Sequence, residues 1–154
     1  MDREIYKKWK SLTTDHRYLR PLRWNEIKKV ILENNLKSAL EFGSGVSTML
    51  FNSLGMKVFS FDTNIEYIKF VRSLCPNVSF VLWDNVHLSL NGHFDIALVD
   101  GALPRNTQLD LALNHADFIA IDDYAGGLKK AMAPKVSHLK RLNSDNTFMA
   151  IFKK

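Results

Sequence analysis

Ser38-Ala39-Leu40-Glu41-Phe42-Gly43-Ser44-Gly45-Val46-Ser47-Thr48 is the stretch that decides the fold. A short strand-forming run enters a turn holding two glycines one residue apart, and a helical pattern leaves it, so the chain passes from strand to helix through a backbone that can come close to a ligand. Upstream, apolar positions in Trp24 to Leu32 recur at helical spacing, and Asn34-Asn35 mark a stop before the strand begins. Downstream the alternation repeats. Apolar strands are expected near Val58 to Phe61, Val78 to Leu82, Ile96 to Val99 and Phe118 to Ile121, with helices clearest at Ile65 to Leu74 and Thr107 to His115. Strands that are apolar throughout are those covered on both faces, which means a parallel sheet between helical layers. The expectation is a doubly wound α/β domain.

Beyond Asp123 the pattern changes. A short helix is expected from Leu128 to Met132, ending near Pro134, and the β-rich Thr147 to Phe152 after a polar turn at Asn143 to Asn146 predicts a C-terminal hairpin. The stretch Trp83 to His93 looks too short for a full helix. A length of 154 residues suits a single domain, read as an N-terminal helical or lid segment over 1–35 and a core over 38–154. With 46% apolar and 24% charged residues the chain has an ordinary globular composition. No apolar run approaches the roughly 20 residues that cross a bilayer. The first ten residues mix charges and do not read as a secretory leader, so a cytoplasmic location is expected. The one cysteine, Cys75, rules out an internal disulfide and reads as a small core residue.

In open α/β sheets ligands bind at the carboxyl ends of the strands, and the first strand-to-helix turn normally belongs to the site. Gly43 and Gly45 stand in that turn. Asp62 lies nineteen residues beyond Gly43, at the end of the second strand, where a carboxylate accepts from ribose hydroxyls. Together they indicate a nucleoside cofactor. The dinucleotide fingerprint ends in a glycine that packs a helix close to a pyrophosphate, and here Thr48 takes that place. Glu41, just before the loop, would repel a pyrophosphate and suits the ammonium group of a methionine moiety. No Gly-Lys-Ser or Gly-Lys-Thr follows, which excludes a P-loop. These residues favour S-adenosylmethionine over NAD.

Ala39 to Thr48 resembles the first motif of class I S-adenosylmethionine-dependent methyltransferases, and the resemblance runs from about Ser38 to the C-terminus. It implies a Rossmann-like sheet of seven strands in the order 3-2-1-4-5-7-6, mostly parallel, closed by the antiparallel hairpin. It implies cofactor contacts from Glu41, Gly43, Ser44, Gly45 and Ser47, with Asp62 and Thr63 at the ribose. After the third strand, Asp84 would accept from the adenine amino group with Asn85 beside it. The alternative for Asp84-Asn85 is a simple turn.

Asp100 follows the fourth strand, and Asp122-Asp123 follow the fifth, so three carboxylates gather at the sheet edge that holds the loop. Like charges that close need a positive partner. A hard divalent cation such as magnesium, which prefers oxygen ligands and keeps several waters, is the natural partner. The pattern of Asp100, Asp122, Asp123 and Tyr124 resembles the metal-dependent O-methyltransferases of the macrocin and catechol types. That similarity implies a metal on Asp100, Asp122 and Asp123, a small hydroxylated acceptor, and Asp100 as proton acceptor. The catechol type carries a lysine base where this chain has Leu103, and nearby Arg105 is too basic to accept a proton. The alternative is metal-free: Asp122 or Asp123 caps the next segment while Asp100 orients the methyl donor.

His16, His87, His93, His115 and His138 show no ligand-pair spacing, which argues against zinc. Tyr6, Trp9, Tyr18 and Trp24 either form a lid over the cofactor or pack on the sheet. The net charge of +5 admits a nucleic-acid substrate, but the fourth strand ends in Val99-Asp100-Gly101-Ala102 and not in the Pro-Pro-Tyr type used on exocyclic amines. The partner expected is a small molecule, with a second copy of the chain able to complete an open pocket. A cofactor-binding subunit without catalysis is the reading from a different class.

Overall fold

The computed structural model describes residues 1–14, 18–83, 90–102, 104–143 and 148–154. From the N-terminus come α1 (Asp2–Leu12) and α2 (Pro21–Glu33), then β1 (Ser38–Phe42), α3 (Val46–Ser53), β2 (Lys57–Asp62), α4 (Ile65–Leu74) and β3 (Ser79–Leu82). The second half holds β4 (Phe94–Val99), α5 (Arg105–His115), β5 (Ala116–Ile121), α6 (Gly126–Val136), β6 (Lys140–Arg141) and β7 (Ala150–Lys153). The seven strands form one sheet in the order β3-β2-β1-β4-β5-β7-β6. Strands β1 to β5 run parallel, and β7 pairs antiparallel with both β5 and β6. This is the doubly wound sheet with a terminal hairpin that the sequence predicts.

The two-residue period of a strand explains why the central strands are apolar on both faces, with Glu41, Asp95 and Asp117 as the acidic exceptions. Ala39, Ile96, Leu98 and Ala120 face one core, shared with Trp9, Trp24, Leu50 and Phe51 from the first three helices. Leu40, Phe42, Ala97, Val99, Ile119 and Ile121 face the other, shared with Leu109 of α5 and Met132 and Val136 of α6. Of the N-terminal aromatics, Tyr6, Trp9 and Trp24 are packed in this core, and Tyr18 is half-buried at its edge. Trp9 and Trp24 are fully buried, and Tyr6 donates to the Leu19 carbonyl at 3.0 Å, fastening α1 to the segment that leads into α2.

Three local details differ from the sequence reading. Helix α2 starts at Pro21, whose fixed φ and missing N–H suit the first helical position. Helix α6 continues through Pro134 to Val136, because Met132 and Val136, one turn apart, both bury against the sheet and outweigh the backbone bond that proline deletes. Strand β7 begins at Ala150 and its partner is Lys140–Arg141; the Asn143 side chain extends their pairing by accepting from the Ile151 N–H at 2.9 Å and donating to the Met149 carbonyl at 2.8 Å. Residues 144–147, which include Thr147 and most of the expected turn, lie outside the described residues.

The ends of β1 and β4 approach each other through glycine. Gly43 has φ +97°, and a Cβ there would stand 2.9 Å from the Gly101 Cα, with backbone on both sides and nothing flexible to yield. A Cβ on Gly101 would in turn meet the Phe42 carbonyl carbon at 3.1 Å. Replacing Gly43 with Ala combines a disfavoured φ with a backbone clash and is expected to lower the unfolding free energy by about 3 kcal/mol. Gly55, with φ +73° and open space around it, is the control, and its change to Ala is expected to cost about 1 kcal/mol in the same urea titration.

Candidate active site

A cleft of about 670 Å³ opens at the carboxyl ends of β1, β2, β4 and β5. Its floor is the turn from Gly43 to Ser47, with Asp62 and Thr63 on one side and Asp100, Asp122 and Asp123 on the other. The N-terminal segment supplies the remaining wall, through Trp9, Tyr18, Arg20 and Arg23.

Asp62 holds the turn and faces the cleft. Its Oδ2 accepts from the Ser44 N–H and its Oδ1 from the Asn64 N–H, both at 2.9 Å. Each carboxylate oxygen has a second acceptor site beyond that bond. Asn64 also caps α4 by accepting from the Glu66 and Tyr67 N–H groups, so the carboxylate sits between two fixed backbone segments.

Glu41 is placed differently from the expectation that it meets a ligand ammonium. Its side chain points into the core behind the turn, fully buried, and does not line the cleft. Thr48 accepts from the Gly45 N–H at 2.9 Å and donates to Glu41 Oε2 at 2.6 Å. Ser60 donates to the same oxygen at 2.7 Å and lies 2.9 Å from the Ser44 hydroxyl. Glu41 is thus the hub that ties the turn and the start of α3 to β2. The same Thr48 that replaces the third fingerprint glycine is a member of this network. Burial pushes the Glu41 carboxyl up to about 7, against the pull of the Ser47, Thr48 and Ser60 hydroxyls.

The second half of the cleft is charged. Asp100 lies beside Asp122, and its carboxyl is held well above the ordinary range by burial and by that neighbour, with Arg105 opposing the shift. Burial also raises Asp122, while Arg23 works against it. Arg105, the first residue of α5, donates to Asp100 Oδ1 at 3.2 Å and to the Asp122 carbonyl at 2.6 Å, joining the ends of β4 and β5. Arg23 reaches from α2 and places one nitrogen, Nη1, 2.7 Å from Asp122 Oδ1 and 2.6 Å from Asp123 Oδ1. The positive partner that the three carboxylates require is therefore two guanidinium groups of the chain itself. No set of three or more His, Cys, Asp or Glu side chains is arranged to hold a metal ion among the described residues. The expected magnesium ligands Asp100, Asp122 and Asp123 are brought together, but with arginine nitrogens on their oxygens, and they do not fit a divalent ion.

Gly43, Ser44, Gly45, Ser47, Asp62, Thr63 and the three acidic residues all reach the one cleft. Asp84, Asn85 and Leu103 lie outside the described residues. Arg23 and Gln108 were not singled out by the sequence. Gln108 accepts from the Gly101 N–H at 3.1 Å and so orders the turn that carries Asp100. No local signal links Arg23 to a carboxylate 99 residues away.

No family profile matches the sequence, and no curated protein does. Solved structures do match along nearly its whole length. A candidate caffeoyl-CoA O-methyltransferase from Staphylococcus aureus superimposes with a TM-score of 0.72 at 15% identity, over 99% of this chain and 92% of that one. An O-methyltransferase from Bacillus cereus, solved with S-adenosylhomocysteine, gives 0.69 at 12% over 99% and 90%. The N-methyltransferase NodS from Bradyrhizobium japonicum, also solved with S-adenosylhomocysteine, gives 0.60 at 13% over 99% and 97%. The fold is that of the class I S-adenosylmethionine-dependent methyltransferases. Among the described residues no helix is long and apolar enough to cross a membrane.

The position of Glu41 has a consequence for stability. Its carboxyl titrates near 4.5 when solvated and at about 7 when folded, so between these values the unfolded chain releases a proton that the folded chain keeps. Stability contributed below pH 4.5 is lost as pH rises to about 7 and then levels off, with a span on the order of 3 kcal/mol. Glu41→Gln is expected to remove this part of the slope in unfolding free energy against pH; parallel curves for the two proteins would contradict it.

Proposed function

We propose that the chain transfers a methyl group from S-adenosylmethionine to a hydroxyl of a small acceptor. The observation that carries the reading is that the glycine turn, Asp62 and Asp100 open onto a single cleft at the strand ends of a methyltransferase fold. S-adenosylmethionine, when bound, supplies an electrophilic methyl group on a positively charged sulfur.

The residues at hand suit the two halves of that task. Backbone N–H groups of the Gly43 to Ser47 turn and the unused acceptor sites of Asp62 would hold the nucleoside and amino-acid parts, with Thr63 beside the ribose. Asp100 lies at the junction of that half and the charged half. Its raised pKa makes it a better proton acceptor than an ordinary carboxylate, and Arg105 fixes the orientation of Oδ1. An acceptor hydroxyl would enter between Asp100 and the N-terminal wall of Tyr18 and Arg20. The acidic rather than Pro-Pro-Tyr strand end supports an oxygen acceptor, and the structural neighbours include O-methyltransferases beside the N-methyltransferase NodS.

Calorimetric titration with S-adenosylmethionine is expected to show one site per chain, and Asp62→Ala to weaken it on the order of 100-fold through loss of two charge-assisted hydrogen bonds. Absence of binding, or equal affinity in the variant, would overturn the cofactor assignment. Asp100→Asn is expected to leave cofactor affinity within a few-fold while lowering S-adenosylhomocysteine production from a panel of hydroxylated acceptors by about 10²- to 10⁴-fold.

A further inference from the structure

We infer that Arg23 is the built-in counter-cation of the acidic cluster, with Arg105 as its second member, and that the cleft works without a divalent ion. The inference rests on the methyl-transfer reading of the cleft, and its test is read without turnover.

The geometry of Arg23 is that of a bridging cation. One nitrogen contacts Asp122 and Asp123 at 2.7 and 2.6 Å, and the Arg23 and Asp122 side chains are only 18% and 5% exposed. The charge-assisted bond to Asp122 is shielded from water, while Asp123, 61% exposed, meets the same nitrogen at the surface. The backbone on each side is fixed. Trp24, next to Arg23, is fully buried with its ring edge-on to Phe51, and Lys28 one turn on is paired with Asp2. Asp123 takes φ +53° in a turn closed by the Ala125 N–H on its carbonyl, a conformation that aims its carboxylate back toward α2.

Charge balance points the same way. Two guanidinium groups among three carboxylates leave the cluster with at most one negative charge, which matches the single positive charge of a sulfonium. A divalent ion added to the arginines would make the cluster positive and repel that sulfonium at short range. Magnesium also needs oxygens disposed octahedrally about one centre, and here a nitrogen already lies between those of Asp122 and Asp123. Arg23 is therefore a positioning residue, and the acceptor needs no vicinal hydroxyls for chelation.

The test measures Mn²⁺ binding by electron paramagnetic resonance on the full chain, with S-adenosylhomocysteine affinity as the check of folding. Wild type is expected to bind no Mn²⁺ up to about 1 mM. Arg23→Ala, or Arg23→Gln should the first fail to fold, is expected to gain at least 10-fold in Mn²⁺ affinity as the two carboxylates lose their cation. Arg23→Lys should restore the wild-type refusal, and adding Asp122→Asn to the alanine variant should remove the gain. Wild-type binding in the micromolar range that Asp122→Asn abolishes would overturn the inference, as would folded Arg23 variants with no gain. Failure of wild type to bind S-adenosylhomocysteine would count against the methyl-transfer reading, and the Mn²⁺ comparison would still decide the role of Arg23.

Discussion

The close approach of the Gly43 and Gly101 backbones is the constraint on which the rest of the cleft depends. Side chains cannot separate the two turns at that distance, so the turn that would hold a cofactor and the turn that carries Asp100 are locked edge to edge. Parallel pairing of β1 with β4 makes this possible, since it delivers both turns to the same end of the sheet. Two carboxylates then complete the frame from opposite sides. Glu41 ties the first turn to β2 and α3 from within the core, and Asp62 ties it to the start of α4 from within the cleft.

Polar groups buried this deeply are stable only when their partners are in place. Behind the turn, the hydroxyls of Thr48 and Ser60 serve Glu41 with no positive charge, and burial raises its pKa. Across the cleft the solution is the opposite, with guanidinium groups from α2 and α5 answering three aspartates. Using α2 for this purpose makes the N-terminal segment part of the site. Its aromatics bury α1 and α2 against the sheet, and one turn of α2 then projects Arg23 over the strand ends.

Much of this was legible in the sequence, and the boundary has a physical basis. Uniformly apolar strands such as Ile96 to Val99 and Phe118 to Ile121 reveal a sheet with two covered faces, and the strand order comes from the resemblance of the first motif to the methyltransferases. Gly43 and Asp62 were legible because they act where their neighbours in sequence place them. Glu41 was assigned to a ligand because sequence gives its distance from the turn but not the face of β1 on which its side chain leaves. The arginines were illegible as partners, since Arg23 meets Asp122 only through the tertiary packing of α2. Pro134 misled for a similar reason, as a local breaker was overruled by the burial of Met132 and Val136.

If the cleft is built for S-adenosylmethionine, its product should lie along the whole frame just described. A crystal structure of the chain grown with S-adenosylhomocysteine tests this most directly. The expected result is ligand density against Gly43 to Ser47, with both ribose hydroxyls on Asp62 and the sulfur facing Asp100. An empty cleft at saturating ligand, or a ligand bound away from Asp62, would contradict the account.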